Sequence, residues 1–136
     1  MIQSGGWIAG VVWKKDFRTG FILTKTEEEL GQIGGSKYVQ SAMGKTYLQI
    51  REKLEKGEQV LFSGCPCQVA GLFSFLGKKY DGLYTIDLIC HGVSSSKVLV
   101  KYLQDEYDYP KIERIDFRDK TVFGWSTEMN VYFTDD

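Results

Sequence analysis

The sequence predicts an α/β fold, with a mostly parallel central sheet, flanking helices and an N-terminal antiparallel hairpin. Two segments rich in β-branched and aromatic residues, 7–13 and 20–25, are separated by a polar turn and predict the hairpin. A buried strand over 59–63, a helix from Pro66 and a strand over 83–89 follow, and a further helix and strand extend the pattern. Strand, helix, strand, helix and strand in this order favour right-handed crossovers and a parallel core sheet.

Turn and capping residues predict where the helices begin and end. Thr26-Glu27-Glu28-Glu29 resembles a capping box before a short helix that ends near Gly31. Pro66 stands at the favoured first position of a helix that ends at Gly77. A further helix is predicted with Tyr47, Ile50 and Leu54 on one face and Gly57 as its C-terminal cap. Another helix is predicted from Ser94-Ser95-Ser96 to about Glu106. Two more strands are predicted over 111–117 and 131–133, and the C-terminal end is expected at an antiparallel edge of the sheet.

Composition and charge describe an ordinary globular chain and exclude two kinds of partner. Of the 136 residues, 43% are apolar and 26% are charged, as in a folded domain. Lys plus Arg is 17 against 18 for Asp plus Glu, so no basic excess is present to neutralise nucleic-acid phosphates. No segment approaches the roughly 18 apolar residues of a membrane span. Three cysteines are too few for a disulfide framework, so a reducing, cytoplasmic setting is expected.

The chain is expected to be a single domain, residues 1–136, that is a fragment of a larger one. Its length suits one hydrophobic core. The strand-like segment 7–13 begins shortly after Met1, and Val131-Tyr132-Phe133 reads as a strand close to the other end. A complete domain usually has some padding at both ends.

Two cysteine loops follow neighbouring strands and form the first candidate site. Cys65-Pro66-Cys67 comes just after strand 59–63, and Cys90-His91 just after strand 83–89. Ligands bind at the carboxyl ends of parallel strands, so both loops are expected at one sheet edge, close in space. Cys67 falls near the first turn of a helix, where backbone N–H groups and the helix dipole stabilise a thiolate. A thiolate suits a metal, an iron–sulfur cluster or redox exchange, although Cys67 alone is as compatible with a buried packing role.

The residues alone leave several chemistries open. Cys65, Cys67, Cys90 and His91 are of the kinds that bind zinc, but their spacing departs from that of structural zinc sites. An iron–sulfur cluster tolerates varied loops but normally takes four ligands, and the chain has three cysteines. Nucleophilic catalysis by Cys67 needs a base, and His91 is the one histidine. A Cys65–Cys67 disulfide is disfavoured because a single intervening residue strains it.

Two polar segments outside the cysteine loops are candidates for binding anions. Gly35-Ser36-Lys37-Tyr38 offers backbone amides, a hydroxyl and an ammonium, which suit a phosphate. Phe117-Arg118-Asp119-Lys120 with Gly124-Trp125 adds a guanidinium, a second ammonium and an aromatic ring. Considered singly, the first segment favours a solvated turn. The second favours a structural Arg–Asp pair, with the tryptophan as often in a core as stacked on a ring.

Taken in order, four segments resemble the coenzyme F420 hydrogenase/dehydrogenase beta-subunit family, whose members are flavin-dependent oxidoreductases of archaea and bacteria. The segments span residues 35 to 125, and Trp7 to Val12 resembles the strand that precedes them. They read GSKYVQS at 35–41, LFSGCPCQVAGL at 61–72, DLICHGVSS at 87–95, and FRDK at 117–120 followed by Gly124-Trp125.

The resemblance implies cofactors and residue roles that spacing alone does not give. Members carry a flavin, usually FAD, and iron–sulfur clusters, expected here as a 4Fe-4S cluster. They pass electrons between a cluster, a partner subunit or ferredoxin and a small redox substrate, which in archaeal members is the deazaflavin coenzyme F420. Cys67 and Cys90 match the family's cysteines and are the implied cluster ligands, whereas Cys65 is a third candidate to which the resemblance assigns no role. The implied cofactor-binding residues are Ser36, Lys37, Tyr38, Gln68, His91, Arg118 and Lys120, of which Ser36, Lys37, Arg118 and Lys120 are expected on flavin or substrate phosphates.

The chain also departs from the family pattern. Members have more chain before the match, including a Ser-Gly-Gly segment, whereas Ser4-Gly5-Gly6 abuts the first strand. They also continue beyond a motif like Gly124-Trp125. Part of the flavin site and of the ligand set is therefore expected to be missing, and the isolated fragment need not bind either cofactor or be active. The alternatives are a non-catalytic subunit that docks a redox partner through its aromatic residues (14%), and a thiol enzyme using Cys67 with His91.

Overall fold

The structure, a computed structural model, describes residues 1–124 and 127–134. Its strands are β1 (Trp7–Trp13), β2 (Thr19–Thr24), β3 (Ser41–Ala42), β4 (Val60–Gly64), β5 (Leu83–Asp87), β6 (Ile112–Phe117) and β7 (Met129–Phe133). Its helices are α1 (Glu27–Ile33), α2 (Thr46–Glu55), α3 (Pro66–Leu76), α4 (Ser96–Glu106) and α5 (Lys120–Phe123). Among the described residues, no helix is both long enough and apolar enough to cross a membrane.

Five of the described strands form the central sheet, in the order β3-β2-β1-β4-β5. The pairs β2–β3, β1–β4 and β4–β5 are parallel. The pair β1–β2 is an antiparallel hairpin, with Ile8 opposite Thr24 at one end and Trp13 opposite Thr19 at the other. These pairings confirm the predicted α/β class, its mostly parallel sheet and its N-terminal hairpin.

Helices α2 and α3 cover one face of this sheet. Phe62, at the middle of β4, is fully buried, and its ring stacks on Phe21 of β2 with the centroids 5.2 Å apart. Removing this apolar surface from water is the main favourable contribution to folding here. The residues of this core are Ala9, Phe21, Ile50, Leu54, Val60, Phe62, Val69, Leu72 and Leu76.

Helix α1 packs on the opposite face of β1, and a glycine makes this contact possible. Successive residues of a strand point to opposite faces, so Gly10 faces away from the core that contains Ala9. A Cβ atom at Gly10 would lie 2.5 Å from Cγ2 of Ile33, closer than real Cβ contacts allow. Any larger residue at this position would therefore displace the side chain of Ile33 at the end of α1.

Strands β6 and β7 pair with each other in a separate sheet, which corrects the predicted topology. The sequence predicts that a crossover helix returns the chain from β5 to a strand of the central sheet, and that the C-terminal end forms an edge of that sheet. Both expectations are wrong because α4 packs elsewhere. Its Leu99 and Leu103 share a second core with Val39, Ile112 and Ile115. The outer side of β5 therefore has no neighbour among the described strands.

Most predicted helix boundaries are confirmed by their caps. Thr26 Oγ1 accepts a hydrogen bond from the backbone N–H of Glu29 at 3.3 Å, as in a capping box. Pro66 is the first residue of α3, and Gly77 ends that helix with a φ of 66°. Ser95 caps α4 by accepting from the backbone N–H of Lys97.

Three details differ from the prediction. Helix α1 continues through Gly31 to Ile33, because the ammonium of Lys37 donates to carbonyls at its end and closes it later than expected. Strand β5 ends at Asp87 rather than at Ile89. Strand β3 was not predicted, since two residues are too short to show an alternating pattern.

Candidate functional site

The carboxyl ends of β4 and β5 lie side by side and bring the two cysteine loops together. The last paired residues are Gly64 and Asp87, and the backbone N–H of Leu88 donates to the carbonyl of Gly64 at 2.9 Å. Cys65 follows β4 directly, and Cys90 lies three residues beyond β5. The expectation that both loops open at one edge of the sheet is confirmed.

The thiol of Cys65 lies near Cys67, Cys90 and Asp87. Burial first, and then the neighbouring Cys90 thiol, raise the pKa of Cys65 to about 11. Cys65 is therefore a neutral thiol near pH 7, whereas Cys67 and Cys90 are both exposed.

The sequence around Pro66 places Cys67 in the first turn of α3. Pro66 supplies the fixed φ of a first helical residue, and Gln68 Oε1 accepts the backbone N–H of Cys65 at 2.9 Å. The hydroxyl of Tyr47 in α2 donates to the carbonyl of Gln68 at 2.6 Å and thereby holds the first turn of α3 against α2. The position of Cys67 at the positive end of the helix dipole is therefore as predicted.

The segment 35–41 is the third wall of the site. The backbone N–H of Gln40 donates to the carbonyl of Ser94 at 2.8 Å, and Val39 forms an isolated parallel bridge with Ser94. Ser36 forms a second isolated bridge, with Phe117 of β6. The segment is thus tied to the cysteine loop on one side and to β6 on the other.

These three walls enclose a cavity of about 710 Å³, which we call the cysteine cavity. Its volume falls within the range typical of cofactor and small-molecule sites. Apolar side chains such as Val11, Met43 and Tyr47 line it beside the polar ones. Eight of the ten predicted site residues line it, namely Ser36, Lys37, Tyr38, Cys65, Cys67, Gln68, Cys90 and His91.

Lys37 lines the cysteine cavity but directs its ammonium at backbone carbonyls. Lys37 Nζ donates to the carbonyls of Ile33, Gly34 and Gly35 at 3.1, 2.7 and 3.3 Å. Burial lowers the pKa of this lysine, while the charge of Asp116 opposes that shift. A contact between Lys37 and a phosphate stays a prediction, and it requires these hydrogen bonds to exchange.

Arg118 reaches the cysteine cavity through Tyr38. Arg118 Nη1 donates to the hydroxyl of Tyr38 at 3.1 Å, and this bond lowers the pKa of that tyrosine. Arg118 has a left-handed backbone with a φ of 55°, an uncommon conformation for a residue with a side chain. It lines a second cavity of about 350 Å³, which shares Gly35 and Ser36 with the first.

The other members of the fourth motif take structural positions or fall outside the described residues. Asp119 caps α5 by accepting from Thr121, and it also accepts from Asn130 and Tyr132. These bonds, those from Thr121 first, hold its pKa far below the usual range. Lys120 is exposed and lines neither cavity. Trp125 lies outside the described residues.

Sequence reasoning missed the apolar rim of the cysteine cavity. Leu88 and Ile89 were predicted as the end of a strand, but they lie in the loop beyond β5, and Ile89 is 99% exposed. Val93 is also an exposed part of this rim. The signal was an apolar pair directly before Cys90, which a buried strand end explains equally well.

The described side chains do not complete a metal centre by themselves. Among residues 1–124 and 127–134, no group of three or more His, Cys, Asp or Glu side chains is arranged to hold a metal ion. Cys67 and His91 both line the cysteine cavity, and the thiol-enzyme alternative stays a prediction. Cys90 Sγ accepts a hydrogen bond from the backbone N–H of Gly92 at 3.4 Å.

Comparisons with known proteins find a matching family model and a solved structure of similar fold. A family model for the C-terminal part of the coenzyme F420 hydrogenase/dehydrogenase beta subunit matches residues 57–136. Among solved structures, a chain of the xenon-derivatized F420-reducing NiFe hydrogenase complex from Methanosarcina barkeri matches with a TM-score of 0.62 at 17% identity. The match covers 97% of this chain and 47% of the hydrogenase chain, so this chain spans about half of that length. At this identity the likeness shows a shared fold. No curated protein matches this chain.

Proposed function

This chain belongs to the family of coenzyme F420 hydrogenase/dehydrogenase beta subunits, and from that membership we propose that it is part of a flavin- and iron–sulfur-dependent oxidoreductase. The proposed reaction transfers electrons between a cluster or a partner and coenzyme F420 or a similar organic substrate. We propose residues 1–136 as one unit of a longer beta-subunit-like protein, which works with an electron-transfer subunit or a ferredoxin.

The observation that carries this proposal is the convergence of three separate sequence motifs on the cysteine cavity. The segment 35–41, the Cys65-Pro66-Cys67 turn and the Cys90-His91-Gly92 loop are far apart in the chain, and all three line it. A cavity that joins thiols, backbone amides and apolar walls suits a redox cofactor better than it suits a purely structural role.

A flavin fits the size and lining of the cysteine cavity. When bound, the flavin supplies the hydride- and electron-accepting ring, and the protein supplies binding and orientation. Ser36, Tyr38, Gln68 and His91 present polar groups to the cavity, and Arg118 stands behind Tyr38. We propose that Arg118, with Lys120 and Lys37, offsets the negative charge of flavin or substrate phosphates.

The cysteines fit part of a 4Fe-4S site. Cys67 and Cys90 are exposed at one sheet edge and are the proposed ligands, with Cys65 as a third candidate. Such a cluster normally takes four ligands, so these residues supply only part of the set. Cys67 lies at the positive end of the α3 dipole, which favours a negatively charged cluster there.

Reconstitution of the full chain tests both cofactor assignments. The chain is incubated without oxygen with ferrous iron, sulfide and FAD, and then desalted. We expect retained FAD and a broad visible absorbance, with the absorbance lost and the FAD kept in Cys67→Ser and Cys90→Ser. A chain that retains neither, or serine variants that keep the full absorbance, would falsify the assignments.

A matched pair of arginine variants tests the flavin site separately. Arg118→Gln is expected to weaken FAD binding about tenfold, which corresponds to a charge-assisted hydrogen bond of about 1.4 kcal/mol. Arg51→Gln removes the same charge from α2, where the guanidinium lies over the ring of Phe75, and should leave FAD binding unchanged. Quenching of flavin fluorescence gives both affinities. Stoichiometric flavin would also count against a non-catalytic docking subunit.

A further inference from the structure

Strand β5 forms one edge of the central sheet and lacks the features that usually protect an edge. In the described part of the chain the opposite edge is β3, which is only two residues long. Strand β5 has five residues, none of them lysine, proline or glycine. Short strands, lysines, prolines and bulges are what commonly keep a sheet edge from pairing with another chain. Because Tyr84 and Ile86 of β5 are also each 47% exposed, this edge is suited to accept a further strand.

The backbone of β5 presents hydrogen-bonding groups on its outer side. The N–H of Leu88 donates to the carbonyl of Gly64 at 2.9 Å, so Leu88 turns its backbone towards β4. Residues along a strand turn their backbone groups alternately to its two sides, and the even-numbered residues therefore face β4. The N–H and carbonyl groups of Thr85 and Asp87 point the other way, where the described strands offer no partner.

We propose that β5 pairs antiparallel with β5 of a second copy of this chain, about a two-fold axis at Thr85. Such an interface is closed, because each copy offers the same surface to the other. The register that joins all five residues places Thr85 opposite itself and Leu83 opposite Asp87. These residues turn their backbone outward, so the pairs can exchange hydrogen bonds. The pairing involves no cofactor and stands or falls independently of the proposed function.

The side chains in this register suit a second copy rather than an unrelated strand. Tyr84 of each copy lies opposite Ile86 of the other on the exposed face, and aromatic and β-branched residues stabilise antiparallel strands when they pair in this way. Within 83–87 the one charged residue, Asp87, lies opposite an apolar one. The register therefore sets no like charges against each other across the new strand pair.

Opposite charges also meet at the two ends of the joined strands. Exposed Lys78 and Lys79 precede the amino end of β5 and keep that turn net positive when Asp81 is counted, whereas the carboxyl end carries Asp87. Antiparallel pairing sets the amino end of each copy beside the carboxyl end of the other. The lysines of one copy are thereby directed towards Asp87 and the cysteine cavity of the other.

Sedimentation equilibrium of the full chain in dithiothreitol tests whether this pair forms. We expect a monomer–dimer equilibrium in the micromolar range, because a strand pair is a small interface. Thr85→Pro removes the outward N–H and leaves the bonds to β4, and it should raise the dissociation constant about thirtyfold, since each copy loses one hydrogen bond. Val98→Lys changes an exposed apolar residue of α4 and should leave the constant unchanged. A parent that stays monomeric, or a dimer that Thr85→Pro does not weaken, would overturn the proposal.

Mixing two charged variants tests the register. Ile86→Lys and Tyr84→Glu each set charges against apolar residues twice in their own dimer, so each variant alone should dimerise more weakly than the parent. In the mixed dimer one Tyr84–Ile86 pair is restored and the other becomes a pair of opposite charges, so dimers should return on mixing. Circular dichroism checks that both variants are folded. Folded variants that dimerise like the parent, or a mixture no more dimeric than its components, would contradict the pairing.

Discussion

The two ends of the parallel strands differ in how their polar groups are satisfied. At the amino end, Trp7 donates its indole N–H to Glu58 Oε2 at 2.6 Å, and Lys25 donates to the same oxygen at 2.9 Å. Lys53 lies 3.7 Å from the other oxygen, and both ammonium groups lie over the Trp7 ring at 4.6 and 4.0 Å. We call these four residues the Trp7 cluster. At the carboxyl end, three cysteines face the cysteine cavity.

The pKa values at the two ends move in directions that match this difference. The hydrogen bonds from Lys25 and Trp7 lower the pKa of Glu58 to about 2, because they stabilise its charged form. Burial raises the pKa of Cys65 to about 11, because desolvation disfavours its charged form. The comparison teaches that one sheet can close one end with partnered charges and leave the other end open to a ligand. Variants of the first end should change stability, and variants of the second should change cofactor binding.

Trp7→Ala should have the largest effect on stability. The ring packs against the main core and carries a hydrogen bond and two cation–π contacts. We expect a loss of about 2–3 kcal/mol in the free energy of unfolding, below the value for a fully buried tryptophan because this ring is partly exposed. Urea denaturation gives the value. Trp7→Phe keeps an aromatic ring and should lose only about 1 kcal/mol, for the hydrogen bond.

Glu58→Gln should give a smaller loss that depends on pH. Because folding lowers the pKa of Glu58, its carboxylate stabilises the fold above the unfolded value of about 4.5, and this contribution is lost as the pH falls towards 2. The urea midpoints of parent and Glu58→Gln should therefore differ at pH 7 and converge near pH 2. Glu55→Gln, which removes an exposed carboxylate from the end of α2, is the control. A difference that grew on acidification would contradict the assignment.

Tyr47→Phe should cost about 1 kcal/mol, because it removes the hydroxyl that donates to the carbonyl of Gln68 at 2.6 Å. This residue lies where the core meets the cysteine cavity, so the variant tests whether a loss of stability there also lowers iron uptake. We expect urea denaturation to show the loss and iron uptake to stay at the parent level. Reduced iron uptake would mean that the first turn of α3 must be fixed for the cysteines to bind.

Cys67→Ser and Cys90→Ser should have the smallest effect on stability. Both side chains are exposed, so the reduced, metal-free variants should unfold within about 0.5 kcal/mol of the parent. Urea denaturation in the presence of dithiothreitol measures this. A loss of 2 kcal/mol or more would show that these cysteines pack in the fold, which is the role that the usual burial of cysteine suggests.

Local chemistry in the sequence predicted the helix ends and the convergence of the cysteine loops better than it predicted the packing of α4. Pro66, Gly77 and the Thr26 capping box set helix ends through bonds within a few residues, and their outcome could be read directly from the sequence. The convergence of the two cysteine loops at one sheet edge followed from the rule for parallel strands. The placement of α4 could not be predicted in this way. Leu99 and Leu103 form an apolar stripe that fits either core, and only tertiary packing selects the second.

The side-chain details of the site depended on contacts between distant segments. Lys37 reads as a cation for phosphates, but its ammonium donates to carbonyls at the end of α1, a helix that extends further than the capping residues indicate. Arg118 and Tyr38 are 80 residues apart and meet beside the bridge between Ser36 and Phe117. No periodicity in the sequence encodes such pairings.

The most direct test of this account is the iron and sulfide bound per chain after anaerobic reconstitution of the parent, Cys90→Ser and Trp7→Phe. The first variant alters the carboxyl end with little expected change in stability, and the second weakens the amino end without touching a cysteine. The account predicts that the parent and Trp7→Phe bind equal amounts and that Cys90→Ser binds none. Parent-level iron in Cys90→Ser, or loss of iron in a folded Trp7→Phe, would contradict it.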